Sequence, residues 1–314
     1  TDAYVEECEV VLADGTVTTF GEVTLDELRE RADPDGDLES RIYAAVQRIV
    51  DEEADAVHEA YPTLKRNVSG YNLSRLVEEA EDGAVNLARL LAGSEGTLAV
   101  VTEATVSLEP VPETKSMALL AYGDLLDAMA DVDPILDHDP AAVEVLDDVL
   151  LDLARETEEF ADVVAMLPPG TDAVLLVEFY AEDDADGREK VATLRDDREG
   201  DDEPAFAAME AHDDAERARF WKLRKSGLPI LLSRTSDEKH ISFIEDAAVP
   251  PENLPEYVAD FEDVLEANDT FASFYAHAGP GCLHVRPLVD TKYPAGVNQM
   301  EAIADGVTDL VVEY

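Results

Sequence analysis

Two prolines one residue apart, Pro110 and Pro112, interrupt the succession of apolar segments and divide the chain in two. Proline locks φ and lacks an N–H, so neither a helix nor an inner strand runs through both positions. One domain over residues 1–110 and a second over 111–314 are therefore predicted. A chain of 314 residues that is 46% hydrophobic has the apolar material for two ordinary cores. It holds no apolar run of about eighteen residues, the length a membrane span needs. The opening Thr1-Asp-Ala-Tyr-Val-Glu-Glu7 lacks the basic and apolar parts of a signal peptide. Cys8 and Cys282 are too few for a disulfide framework. The default is a reducing cytoplasm, with docking at the inner membrane face as a second option.

Acidic residues number 73 against 23 basic ones, a formal net charge of −50. They are spread over nearly every segment rather than gathered in a tail. Such a surface repels nucleic acid and anionic lipid and argues against them as partners. Salt screens its self-repulsion, which points to a salt-rich cytoplasm and an extreme halophile.

In the first domain, the apolar runs flanking Asp14-Gly15 within Val5 to Phe20 predict a β-hairpin. Thr24 with Glu27 forms a capping box for a helix from Leu25. Leu38 to Val57 reads as a second helix, and Gly83 to Leu91 as a short third one. Leu98 to Val101 reads as a strand continuing into Thr105 to Leu108. Between helix and strand lies Gly93-Ser-Glu-Gly-Thr97. Glycine brings backbone N–H groups close to a phosphate or a flat ring. Ser94, Glu95 and Thr97 add polar contacts. A plain Gly-rich turn explains the same stretch. Lys65-Arg-Asn-Val-Ser-Gly-Tyr-Asn-Leu73 admits the same two readings, with Asn67, Gly70, Tyr71 and Asn72 either meeting a ligand or capping the next helix.

In the second domain, Ser116 to Tyr122 and Ala173 to Tyr180 read as strands. Asp124 to Leu136, most of Ala141 to Val164, and 186–195 read as helices, with Asp196 to Pro204 an exposed loop. Asn253, with Glu256, caps a helix carrying an apolar stripe from Leu254 to Leu265. Strands alternating with helices after an antiparallel opening predict an α+β fold. Ala215 to Arg224 is a helix with a basic cluster at Arg219, Lys222, Arg224 and Lys225. Either these cations are solvated or they anchor a carboxylate, for which arginine has the matching planar fork. His240 to Pro250 reads as a strand in which Glu245 and Asp246 face a cation, a metal or a cavity.

Phe274-Tyr-Ala-His-Ala-Gly-Pro-Gly-Cys-Leu-His-Val-Arg-Pro287 reads as strand, turn, strand. The two-residue period puts Cys282, His284 and Arg286 on one face, turned back towards His277. Two imidazoles converging across a turn suit a divalent metal with a carboxylate as third ligand; two satisfied core histidines are the alternative.

In this order, Glu9-Val-Val-Leu-Ala-Asp-Gly15, Asn67 to Leu73, Gly93 to Thr102, Phe220-Trp-Lys-Leu-Arg224, Ile244-Glu-Asp-Ala-Ala-Val-Pro250 and His277 to His284 resemble one family. It comprises the FAD-linked oxidoreductases of the vanillyl-alcohol-oxidase type that act on D-2-hydroxy acids such as lactate, glycolate and 2-hydroxyglutarate. The resemblance implies that residues 1–110 are the second FAD-binding subdomain and 111–314 an antiparallel-sheet-plus-helices cap domain over the flavin. Gly70, Tyr71, Asn72, Gly93, Ser94, Glu95, Gly96 and Thr97 would bind FAD. His277 and His284 would bind a divalent metal, zinc or manganese. Arg224 would pair with the substrate carboxylate, with Arg286 and Lys239 as further substrate contacts. The helices between Phe20 and Lys65 look like those of large members fused to iron–sulfur modules, which implies such a module or another electron acceptor as partner.

Three departures stand beside the resemblance. Gly279-Pro-Gly-Cys282 replaces the usual Gly-Asp-Gly-Asn, and Arg286 stands where asparagine is common. The family's first flavin subdomain would precede Thr1, and its Glu-His-Gly motif would follow Tyr314. The expectation is therefore a fragment without turnover of its own. A sugar or aldonolactone oxidase, or a non-catalytic interaction domain, is the competing reading.

Overall fold

The computed structural model describes residues 2–61, 64, 70–158, 164–200, 203–232 and 235–314. The basic pair Lys65-Arg66 and Asn67 to Ser69 of the first glycine motif lie outside the described residues. The chain forms two compact units, Thr1–Pro110 and Val111–Tyr314.

In the first unit, β1 (Val5–Val11) and β2 (Val17–Phe20) make the predicted hairpin, with Gly15 at φ 87° in its turn. After β3 (Glu22–Thr24), Thr24 and Glu27 cap α1 (Leu25–Arg31) reciprocally, as their spacing predicts. The helix expected over residues 38–57 is two, α2 (Leu38–Glu52) and α3 (Ala54–Ala60). Glu53 between them leaves helical geometry at φ −117°, ψ 4°. Next comes α4 (Leu73–Glu81), capped by Asn72. The helix expected from Gly83 to Leu91 does not form. Gly83 turns at φ 93°, β4 (Ala84–Asn86) leaves extended to pair with β3, and only Leu87–Leu91 coils, as a 3-10 turn. A glycine in the left-handed region ends a helix rather than starting one. β5 (Val100–Val106) joins the free edge of β1. Val10, Phe20, Leu28, Tyr43, Leu76 and Val85 fill the core.

The second unit is built on an antiparallel sheet. Its elements in chain order are β6 (Thr114–Tyr122), α5 (Leu125–Leu136), β7 (Ala142–Leu146), α6 (Asp148–Arg155), β8 (Ala173–Ala181), α7 (Asp184–Arg198) and β9 (Ala207–Ala211). There follow α8 (Asp214–Lys225), α9 (Gly227–Leu232), β10 (Lys239–His240), β11 (Ile244–Ala248), α10 (Leu254–Ala267), β12 (Ala272–His277), β13 (Cys282–Val289) and α11 (Pro294–Glu313). The strands lie in the order β9–β6–β8–β7–β12–β13, with β10 and β11 both on the outer edge of β13. Helices cover both faces. Leu120, Val143, Leu175 and Phe274 meet Met129, Phe261 and Ile303 on one face. Leu119, Leu146, Leu176 and Tyr275 meet Leu150, Phe220 and Leu223 on the other. Each such side chain taken from water contributes about 1.5–3 kcal/mol. The predicted α+β class is the observed one.

Four local expectations are corrected. The segment from Ala141 opens with β7, because Val143 and Val145 enter one core while Glu144 and Leu146 face the other. The strand from His240 is interrupted, as β10 and β11 take separate places along β13. Asn253 makes no cap; its amide donates to the Tyr314 carbonyl at 3.1 Å. Helix α7 also runs to Arg198, into the stretch read as loop. Among the described residues, no helix is long and apolar enough to cross a membrane.

Candidate active site

In the first unit the two glycine motifs meet. Tyr71 and Thr97 share a hydroxyl–hydroxyl bond of 3.0 Å. Asn72 caps α4 and donates to Asp2 at 2.8 Å. In the second motif, Gly93, Glu95 and Gly96 all have positive φ, at 85°, 49° and 76°. The Ser94 hydroxyl donates to the Leu91 carbonyl and the Thr97 hydroxyl to the Ser94 carbonyl, which fixes the turn from within. Among the described residues the Glu95 and Gly96 N–H groups carry no intramolecular bond. A Cβ on Gly96 would meet nothing within 4 Å. Open backbone donors beside a missing side chain fit the edge of a flavin or its phosphates.

In the second unit, strand register assembles a row of side chains on the sheet face that carries Leu146 and Tyr275. His277 stands opposite Glu144 on one side and Cys282 on the other; Tyr275 stands opposite Leu146 and His284. Residues directly opposite in an antiparallel pair share a face. The imidazoles of His277 and His284 accordingly come within 5.2 Å, centroid to centroid, at 76°.

Each ring is held by a carboxylate. His277 Nδ1–H donates to Glu144 Oε1 at 2.7 Å, and His284 Nδ1–H to Glu245 Oε2 at 3.0 Å. Glu245 and Asp246 lie in a bulge of β11 opposite the His284 region of β13, with Asp246 at φ 53°. Of the two acids expected to face a cation, a metal or a cavity, Glu245 meets a cation, Arg286, whose Nη1 pairs with it, while Asp246 is largely exposed and lies 3.5 Å from His284 Nδ1. Burial holds the His284 imidazole below its ordinary range, against the opposite pull of Glu245 and Asp246. Cys282 is buried, its thiol 3.5 Å from Asp246.

Arg224 reaches this row from the last turn of α8. Its Nε donates to Glu144 Oε2 at 2.7 Å and its guanidinium lies 5.1 Å from the Tyr275 ring centroid. No bond to its Nη atoms is formed among the described residues, which leaves the planar fork for a carboxylate. Arg286 is differently placed: it is 6% exposed, and its Nε and Nη2 donate to the Tyr275 hydroxyl. Lys239 stands opposite Val289, on the β13 face of Leu283 and Val285 rather than that of His284 and Arg286. One turn before Arg224, Trp221 Nε1 donates to Glu178 at 2.9 Å, beside a cavity of about 490 Å³ lined by Lys115, Arg217 and Lys225.

Glu144, Glu178 and Tyr275 are central here and were not singled out from the sequence. Tyr275 was legible, since it precedes His277 by two. Glu144 was hidden by reading its strand as helix. Among the described residues, no group of three or more His, Cys, Asp or Glu side chains is arranged to hold a metal ion.

Residues 111–314 match the C-terminal domain of FAD linked oxidases. The chain belongs to this family. Among individual proteins it is similar to D-2-hydroxyglutarate dehydrogenase of Pseudomonas putida, 29% identical over 278 residues, 87% of this chain. It is also similar to glycolate oxidase subunit GlcD of Bacillus subtilis, 29% identical over 254 residues, 80% of this chain. The alignments span only 27% and 48% of those relatives. Its fold is similar to that of 4-ethylphenol oxidase from Gulosibacter chungangensis in complex with isoeugenol, at a TM-score of 0.52 and 14% identity, covering 98% of this chain and 55% of that one.

Proposed function

We propose that this chain serves an FAD-dependent dehydrogenase of D-2-hydroxy acids, with residues 1–110 as a flavin-binding subdomain and 111–314 as the cap that presents substrate. The observation that carries the reading is Arg224, 11% exposed beside the imidazole pair with its fork unspent, in a member of the FAD-linked oxidases. A flavin supplies the acceptor for the C2 hydride, and a divalent cation supplies polarisation of the C2 hydroxyl. Arg224 binds the substrate carboxylate. Arg286 holds Tyr275 against that site, whereas Lys239, on the other face of the sheet, is not placed to meet a substrate there. His277 and His284, each with Nδ1 on a carboxylate, present Nε2 to zinc or manganese; imidazoles so oriented are the common form of metal-bound histidine. Gly70 to Asn72 and Gly93 to Thr97 hold the flavin.

An iron–sulfur module or another acceptor would take the electrons onward. The net charge of −50 supports work in a salt-rich cytoplasm. Calorimetric titration of the chain with D-2-hydroxyglutarate, D-lactate and glycolate tests the substrate class. Saturable binding of one of them, weaker for the L-enantiomer where there is one and lost in Arg224→Ala, is expected. Binding that ignores both chirality and Arg224 would refute it.

A further inference from the structure

We propose that Glu144 is a positioning residue that couples the substrate anchor to the imidazole pair. This rests on the reading above, in which Arg224 takes the carboxylate and His277 a divalent cation. The two oxygens of Glu144 are divided between them: Oε2 accepts from Arg224 Nε and Oε1 from His277 Nδ1–H, both at 2.7 Å. Its side chain is 8% exposed and that of Arg224 11%, so the Arg224 bond forms largely away from bulk water, where losing an ionic acceptor strands its donor, while His277 is 32% exposed. β7 pairs with β12 in a register that sets Glu144 directly opposite His277. The carboxylate is therefore delivered by the sheet and not by a loop.

Two consequences follow from the chemistry of a carboxylate. An ionised carboxylate only accepts, so His277 is locked as the Nδ1–H tautomer with its lone pair on Nε2. On the other side, fixing Arg224 through Nε orients the plane of the guanidinium and leaves both Nη groups for a bidentate partner. Anchor and imidazole thus turn as one unit. A glutamine at this position has a single acceptor oxygen and turns its NH₂ towards one of the two donors.

Imidazole ¹⁵N–¹H correlation spectra of the 314-residue chain read the tautomer directly. Wild-type His277 is expected as Nδ1–H; Glu144→Gln should move the tautomer ratio about tenfold towards Nε2–H and speed water exchange of the Arg224 Nε–H by a similar factor. Titrated MnCl₂ should broaden the His277 signals at about 10–100-fold higher concentration in the variant. A wild-type Nε2–H tautomer, or variant spectra and exchange equal to wild type, overturns the proposal whatever Mn²⁺ does. A tautomer shift without any wild-type response to Mn²⁺ supports the positioning role and removes the metal from the functional reading. Should Glu144→Gln not fold, the wild-type tautomer alone decides.

Discussion

The Tyr275 hydroxyl accepts two bonds from one side chain, Arg286 Nε at 3.0 Å and Nη2 at 2.7 Å. Tyrosine and arginine are 5% and 6% exposed, so water cannot replace either partner. The guanidinium groups of Arg224 and Arg286 both also approach the Tyr275 ring, their Cζ atoms 5.1 and 5.5 Å from its centroid. Tyr275→Phe keeps the ring and deletes only the acceptor, stranding two charged donors. The expected loss is about 2–3 kcal/mol. Urea unfolding followed by fluorescence of Trp221, the chain's one tryptophan, measures it. A change within about 0.5 kcal/mol would show that the Tyr275 hydroxyl is not what holds the Arg286 guanidinium.

Asp147 gives a pH dependence with a definite sign. Burial pushes its carboxyl up to about 7, against bonds from the Phe274 and Leu150 N–H groups and the Ser273 hydroxyl that favour the charged form. Below about pH 4 both folded and unfolded chains carry the proton, and the contribution is fully present. Between about pH 4 and 7 the unfolded chain releases the proton and the folded one keeps it, so stability falls by at most about 1.4 kcal/mol per pH unit. The difference in unfolding free energy between wild type and Asp147→Asn isolates this group from the other acids. It should decline from pH 4 to 7 and then level. A difference that grows with pH would mean that the three donors outweigh burial.

How much of this was legible depended on whether the signal was local. The Asp14-Gly15 hairpin and the Thr24–Glu27 box declare themselves within a few residues, and both form. The period-two reading of β13 correctly joined His284 and Arg286, because alternation needs no knowledge of neighbours. Glu144 is different. It is the middle of a five-residue strand with both faces buried, and such a strand lacks the alternation that marks half-exposed ones. The bulge at Glu245 and Asp246 exists only relative to β13, so no reading of its own segment could reveal it.

The surface charge predicts a steep dependence on salt. Raising ionic strength from about 0.1 M to 1 M shortens the screening length from about 10 Å to about 3 Å. Repulsion among 73 acids offset by 23 bases falls accordingly. If that relieves a few kcal/mol, the thermal midpoint rises by roughly 5–10 °C for units of this size. Calorimetry in KCl, with sucrose as a control for crowding without screening, checks it. A midpoint indifferent to KCl would detach the acidic composition from adaptation to salt.

Two glycines with nearly equal φ should respond very differently to alanine. Gly96 and Gly281 have φ of 76° and 70°, so alanine in either pays the left-handed cost of about 1 kcal/mol. At Gly96 nothing stands within 4 Å of a new Cβ, and that cost is the whole effect on stability. At Gly281 the Cβ would overlap the Val249 carbonyl oxygen, a backbone atom with no rotamer to yield. Relief requires moving the segment after β11 away from the β12–β13 turn, where Val249 N–H donates to the Gly281 carbonyl at 3.1 Å. That turn joins the strands carrying His277 and His284, so the damage spreads to the imidazole pair. Gly281→Ala should lose about 3 kcal/mol or more and shift the imidazole resonances of both histidines, while Gly96→Ala leaves those resonances in place. Equal losses in the two variants would show that the backbone angle alone governs both sites and that the β12–β13 turn has room to spare.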